Sequence, residues 1–228
     1  MKTETLNLNT PRGATTAFVA RPDTDPAAAV ILIHEWWGIN DHIRDIASRF
    51  ANEGYLCVAP DLYHGRVAKD QQEAAKLMHD LDTADGMDSI RHAIVETRRY
   101  YAQKTGITGY CMGGTFALRA ACEINELAAA APFYGDIPEE NVLAKLSVPT
   151  LFFAGTRDAW ITPEKVAVLK EAARKSNLPV EVVSYDADHA FFNNTRPDVY
   201  NATAAADAWR RVLSLFHKHL LGTAAQTA

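Results

Sequence analysis

Six short apolar runs punctuate this chain, and none of them alternates: "AAVILI" at 28–33, "YLCVAP" at 55–60, "GITGY" at 106–110, "LAAAAPFYG" at 127–135, "PTLFFAG" at 149–155 and "VEVVSYD" at 180–186. A strand with one wet face alternates apolar and polar residues. Runs of this length without alternation fit strands buried on both faces, as in a parallel sheet. Both faces then need helices, and helical periods lie between the runs. Ile43, Ile46, Ala47 and Phe50 make one apolar face, with Gly54 placed to end it. Thr162 and Pro163 read as an N-cap and a first-turn proline ahead of Val166, Leu169 and Ala173. Trp209, Val212, Leu213, Phe216 and Leu220 form a stripe that packs on a sheet.

Only the first 20 residues differ. "TETLNLN" alternates, "TPRG" carries turn chemistry and "TTAFVA" resumes as a strand, which predicts an antiparallel hairpin. The expected class is α/β: three layers around a mostly parallel, doubly wound sheet with the hairpin at its N-terminus. No repeat or linker interrupts it. One domain is expected over 1–221, with residues 222–228, "GTAAQTA", as a frayed tail.

Composition excludes several functions. The net charge is −5 and no stretch concentrates Lys and Arg, so a nucleic-acid surface is not expected. No segment has the ~18 uninterrupted apolar residues of a membrane helix, and the polar start "MKTETLNLNT" has no signal-like apolar core. Three cysteines without a C-x-x-C pair do not form a disulfide framework pattern, so a cytoplasmic location is expected. The N-x-T triplets at Asn193 and Asn201 are then chance matches. His34-Glu35 lacks the second histidine of H-E-x-x-H, whose place is taken by Gly38, and His217 and His219 are expected to face water. No metal and no cofactor are expected, and the chain reads as a monomer or small homo-oligomer.

Sheets of this kind bind ligands outside the carboxyl ends of their strands. That edge gathers His34–Glu35, Asp61, Cys111, Gly135–Asp136, Asp158 and Asp186–His189. Within "GYCMGG" (109–114), Gly109 to Gly113 has the spacing of the G-x-S-x-G nucleophile elbow, with sulfur in place of the serine oxygen. Taken alone, the six residues leave two readings: a small buried cysteine in a glycine-rich turn, or a thiol held out at the tip of a sharp bend. The order nucleophile, acid, histidine belongs to this architecture. "TRDAW" places Asp158 beyond one later strand, and "DADHAFF" places His189 beyond the next. Asp158 is thus the candidate orienter and His189 the candidate base. An oxyanion hole would take the N–H of Met112 and a second N–H from the loop "HEWWG".

With these motifs in place, the chain resembles the dienelactone hydrolase family of the α/β-hydrolase fold. The resemblance is carried by "HEWWGIN" (34–40), "PDLY" (60–63), "GYCMGG" (109–114), "GTRDAW" (155–160) and "DHAFFNNTRPD" (188–198). It implies Cys111 as nucleophile, His189 as base, Asp158 as its partner, Glu35 beside the thiol, and the Trp36 N–H joining that of Met112. In similar enzymes the thiol is held protonated toward the glutamate until substrate arrives. The competing role for Glu35 is a buried carboxylate paired with Arg157 or Arg196.

Trp37, Tyr63, Tyr134 and Phe191 are candidates for an apolar ligand pocket, and Arg66 or Arg196 for a carboxylate anchor. Arg196 lies seven residues after His189, whereas the family's arginine lies four after, at the place held here by Asn193. That departure bears on the substrate more than on the catalytic apparatus. The implied function is hydrolysis of a small ester or enol lactone, such as 4-carboxymethylenebutenolide, through an acyl-thioester. A short-chain carboxylesterase or thioesterase of the same fold is the nearest alternative. From another class, a redox-sensing or ligand-binding module would oxidise Cys111 rather than acylate it, but a sensor needs no oriented base.

Overall fold

The alternating N-terminal residues pair as β1 (Lys2–Thr10) and β2 (Gly13–Arg21), antiparallel from Lys2 opposite Arg21 to Thr10 opposite Gly13. This computed structural model describes residues 1–26, 28–101 and 104–222. The expectation of a frayed tail therefore lies outside the described residues, apart from Gly222. Strand and helix then alternate through β3 (Ala28–Ile33), α1 (Asp41–Asn52), β4 (Tyr55–Pro60), α2 (Gln71–Asp80), α3 (Thr83–Tyr101), β5 (Thr105–Tyr110) and α4 (Met112–Glu123). The second half runs through β6 (Leu127–Phe133), the single turn α5 (Glu140–Leu143), β7 (Thr150–Gly155), α6 (Pro163–Ser176), β8 (Val180–Tyr185) and α7 (Ala202–Phe216).

The eight strands form one sheet in the order β1-β2-β4-β3-β5-β6-β7-β8. β1, β2 and β4 pair antiparallel, and every later pairing is parallel. Each residue of β3, β4 and β5 is buried, as strands covered on both faces require, including Thr105 and Thr108 of β5. β8 departs from that expectation: it is the edge strand, so Glu181 and Ser184 face water despite the valines beside them.

Two cores sandwich the sheet. One face packs α1 and α7 through Ile43, Ile46, Phe50, Val212 and Phe216; the other packs α3, α4 and α6 through Ile90, Ile94, Leu118, Val166 and Leu169. α1 starts where Asn40 Oδ1 accepts the Ile43 N–H at 3.1 Å, and it stops ahead of Gly54, whose φ of 88° suits glycine. Burying its phenylalanine contributes ~1.5–3 kcal/mol. The stripe of α7 continues into a π-turn at His217–Leu221, which keeps Leu220 buried. No helix among the described residues is long and apolar enough to cross a membrane.

Candidate active site

The strand order reverses between β3 and β5, where the chain first builds outward through β4 and later returns on the opposite side. Crevices open at such reversals, outside the carboxyl ends of the strands. Ile33 pairs with Gly109, so Glu35 and Cys111, each two residues further on, leave the sheet as neighbours. Further along the same edge Gly155 pairs with Tyr185, and Asp158 and His189 follow in the next loops. Parallel register thus converts four distant positions into one cluster.

Cys111 sits between β5 and α4 with φ 57° and ψ −120°, in the left-handed region that a side chain rarely adopts. Strain of this kind costs ~1–3 kcal/mol and persists only where the surroundings enforce it. Here the Cys111 N–H is bonded to the Phe133 carbonyl at 3.1 Å, and its carbonyl accepts the Thr115 N–H at 3.1 Å. The flanking glycines let the bend close. A Cβ on Gly113 would stand 2.3 Å from the Ile33 carbonyl oxygen, and one on Gly109 would stand 2.1 Å from that of Gly113. The thiol is left partly exposed, whereas Cys57 and Cys122 are buried. Met112 opens α4, so its N–H belongs to the first turn, whose donors lack intrahelical partners.

His189 Nδ1 is 2.7 Å from Asp158 Oδ2. The Asp158 side chain is fully buried, and its other oxygen accepts the N–H groups of Trp160 and Ile161 at 2.8 and 2.9 Å. Burial works against the Asp158 charge, but the bonds from His189 and these two amides outweigh it and hold the carboxyl below its ordinary range. Burial likewise opposes a charged His189, yet Asp158 and Cys111 overcome it and lift the ring to about 10. Nε2 has no partner of normal hydrogen-bond geometry among the described residues. The influence of the sulfur on the ring is therefore read as electrostatic proximity rather than as a formed bond.

Glu35 is 2% exposed. It pairs with neither arginine considered for it: Oε2 accepts Asn193 Nδ2 at 2.8 Å. Burial pushes its carboxyl up to about 7, against the opposing pull of Asn193, His189 and Arg196. Asn193 is itself buried, and its Oδ1 accepts both the N–H and the hydroxyl of Thr195 at 3.0 and 2.7 Å. The neighbouring His34 fixes the loop. Leu62 N–H donates to its Nε2 at 3.1 Å, so Nδ1 carries the proton and donates to the Glu35 carbonyl at 2.6 Å.

Two cavities meet at the thiol. The first, of 270 Å³, is lined by Glu35, Trp36, Trp37, Cys111, His189 and Arg196, with Arg157 and Trp160 at its wall. The second, of 300 Å³, is lined by Cys111, Met112, Tyr134, Trp160 and His189 together with residues of α2 and α4. The expected site residues Cys111, His189, Glu35, Trp36, Trp37, Met112, Tyr134 and Arg196 thus come together, with Asp158 behind His189. Three others line neither cavity. Tyr63 is spent on packing, its ring 4.9 Å from His34 and its hydroxyl 3.1 Å from the Met112 sulfur. Phe191 is fully buried between Tyr134 and Tyr185, each 5.3 Å away. Arg66 is exposed and folds back, its Nε donating to the Tyr63 carbonyl at 3.3 Å.

Sequence reasoning missed Trp160, Asn193 as the partner of Glu35, and α2 as a wall. The apolar pattern of "QQEAAKLMHD" is too short to signal a helix over a site. Both rim arginines already hold carboxylates, Arg157 those of Asp186 and Asp188, and Arg196 that of Asp198. Among the described residues no group of three or more His, Cys, Asp or Glu side chains is arranged to hold a metal ion.

Comparison with known proteins finds relatives across most of the chain. The sequence profile described as "Dienelactone hydrolase family" matches residues 15–220. "Protein usf" of Aquifex pyrophilus is 36% identical over 207 residues, covering 84% of this chain and 88% of that one. A protein of Aquifex aeolicus named "Putative carboxymethylenebutenolidase" is 34% identical over 208 residues, with the same coverage of 84% and 88%. Among solved structures, one described as a "Putative Dienelactone Hydrolase" from Klebsiella pneumoniae superposes with a TM-score of 0.88 at 29% identity, over 96% of this chain and 99% of that one.

Proposed function

The chain belongs to the dienelactone hydrolase family, and from that premise we propose that it hydrolyses small carboxylic esters or enol lactones through an acyl-thioester on Cys111. The observation that carries the reading is a strained, partly exposed thiol sharing a cavity with a histidine that a buried aspartate orients at 2.7 Å.

The steps follow from these groups. The thiol gives its proton to Glu35, and the thiolate, beside a protonated His189, attacks the carbonyl carbon. The N–H groups of Met112 and Trp36 receive the developing oxyanion. The C–O bond breaks and His189 protonates the departing alkoxide. Water, deprotonated by the now neutral His189, then cleaves the thioester, and Glu35 returns its proton to the leaving thiolate. An unperturbed thiol is only a few per cent ionised at neutral pH, so a proton acceptor in Glu35 and a positive His189 ring favour the attack. Asp158 keeps the ring in one tautomer and favours its charged form. Esters and enol lactones with good leaving groups suit a thiolate; amides do not. The substrate is a small molecule, and the reaction needs no cofactor and suits the cytoplasm.

A panel of dienelactones, p-nitrophenyl esters and thioesters, offered to the wild type and to Cys111→Ala, tests this. Turnover by the wild type with loss of at least ~10³-fold in the variant is expected. Turnover of nothing would favour a binding or sensing module, and full turnover by Cys111→Ala would remove the nucleophile.

A further inference from the structure

We infer that the site is two-armed: an ester whose carbonyl lies at Cys111 extends an apolar arm of several carbons into the second cavity and its other arm into the first. This rests on the ester-hydrolase reading above and narrows it to open-chain esters with an apolar side. The two cavities share Cys111, Trp160 and His189, so the reacting atoms lie between them rather than at the end of one. α2 roofs both. Gln71 in its first turn lines the first cavity and Met78 lines the second. Seven residues are two helical turns, which puts both on one face about 10 Å apart.

The walls differ in chemistry. The first cavity sets Glu35, Asp188 and the two paired arginines beside Trp36 and Trp37. The second is walled by Met78, Leu81, Met112, Phe116 and Ile161. Its one ion pair is internally satisfied, since Lys165 Nζ bonds both Asp136 oxygens at 3.0 and 3.2 Å. Trp160 stands at the divide, its ring stacked 5.8 Å from that of His189 and 57% exposed. An apolar arm would cover that surface, which water otherwise wets. Either cavity alone is at or below the lower bound of a ligand pocket, about 300 Å³; together they reach ordinary size. A compact lactone keeps both sides of its scissile bond in one ring and fills one chamber. An open-chain ester fills two.

The test uses two homologous series: p-nitrophenyl esters of lengthening acyl chain, and alkyl acetates of lengthening alcohol. In one series kcat/KM should climb about threefold to fourfold per methylene over the first few carbons. In Met78→Trp and Leu81→Trp, which fill the chamber from two different positions, the ratio of the long to the short ester should fall toward one. A flat response in both series, or a climb that survives both variants, overturns the inference while leaving ester hydrolysis standing. Failure of the folded wild type to turn over even the shortest esters overturns both.

Discussion

Asn193 Nδ2 donates to Glu35 Oε2 at 2.8 Å, so the buried carboxylate beside the thiol is held by a neutral amide and not by a cation. The consequence is electrostatic. A hydrogen bond favours the charged form only in part, burial dominates, and the carboxyl is pushed up to about 7. Near neutral pH Glu35 can therefore either hold or accept a proton.

The same shift makes folding pH-dependent. The folded value lies above the ordinary Glu value of 4.5, so the folded state binds the proton more tightly than the unfolded chain. Stability is then full below about 4.5 and is lost as pH rises through about 7, by roughly 3 kcal/mol. Glu35→Gln keeps an oxygen for Asn193 and removes the titration. Urea unfolding should show the variant equal to wild type near pH 5 and more stable at pH 8.5. Parallel curves for the two proteins would contradict the assignment.

Glu35 also bears on thiol reactivity. If it holds the thiol protonated at rest, iodoacetamide should label Cys111 slowly in the wild type and faster in Glu35→Ala or with a substrate mimic bound. Rapid labelling at one rate in all three would mean that His189 already takes the proton, leaving Glu35 no such part.

Asp158 acts through His189. Asp158→Asn keeps the shape but presents the ring with a poorer acceptor and permits the wrong tautomer, so kcat should fall about 10³- to 10⁴-fold. The His189 proton affinity, lifted to about 10 in part by Asp158, should move back toward the ordinary histidine range. Titration of the histidine ring by NMR reads this shift. A large loss of rate with an unmoved titration would point to a collapsed loop instead, since Asp158 also anchors the Trp160 and Ile161 amides.

Gly113→Ala tests the elbow. The added methyl would stand 2.3 and 2.6 Å from the Ile33 and His34 carbonyl oxygens, both backbone atoms at the end of β3. Overpacking of this kind costs ~1–3 kcal/mol. In a domain of this size that lowers Tm by about 2–12 °C, and activity should fall further than stability because α4 carries the Cys111 bend. A variant as stable and active as wild type would show that the close approach is not needed.

The strands and the positions of Cys111, Asp158 and His189 were legible because each is signalled locally, by an apolar run with the residue in the turn or loop just beyond it. The parallel register then assembles them. Asn193 was not legible as a partner, because its role lies in a contact with a residue 158 positions away. Phe191 shares its strand-end loop with His189 and Tyr63 follows β4 at the same edge, but both rings are buried and pack beneath residues that line the cavities. Composition near a sheet edge does not distinguish lining from support. The roof formed by α2 depends on where a polar helix docks, and "QQEAAKLMHD" carries only Ala74 and Leu77 as buried positions.

The central claim is that Cys111 carries the acyl group. Its most direct measurement is the location of acetyl in enzyme quenched with acid during turnover of p-nitrophenyl acetate, whose leaving group makes acylation fast relative to thioester hydrolysis. Peptide mapping by mass spectrometry should find acetyl on the peptide containing Cys111 and lose it on treatment with neutral hydroxylamine. Acetyl on another residue, or sustained turnover with Cys111 never acylated, would contradict the account.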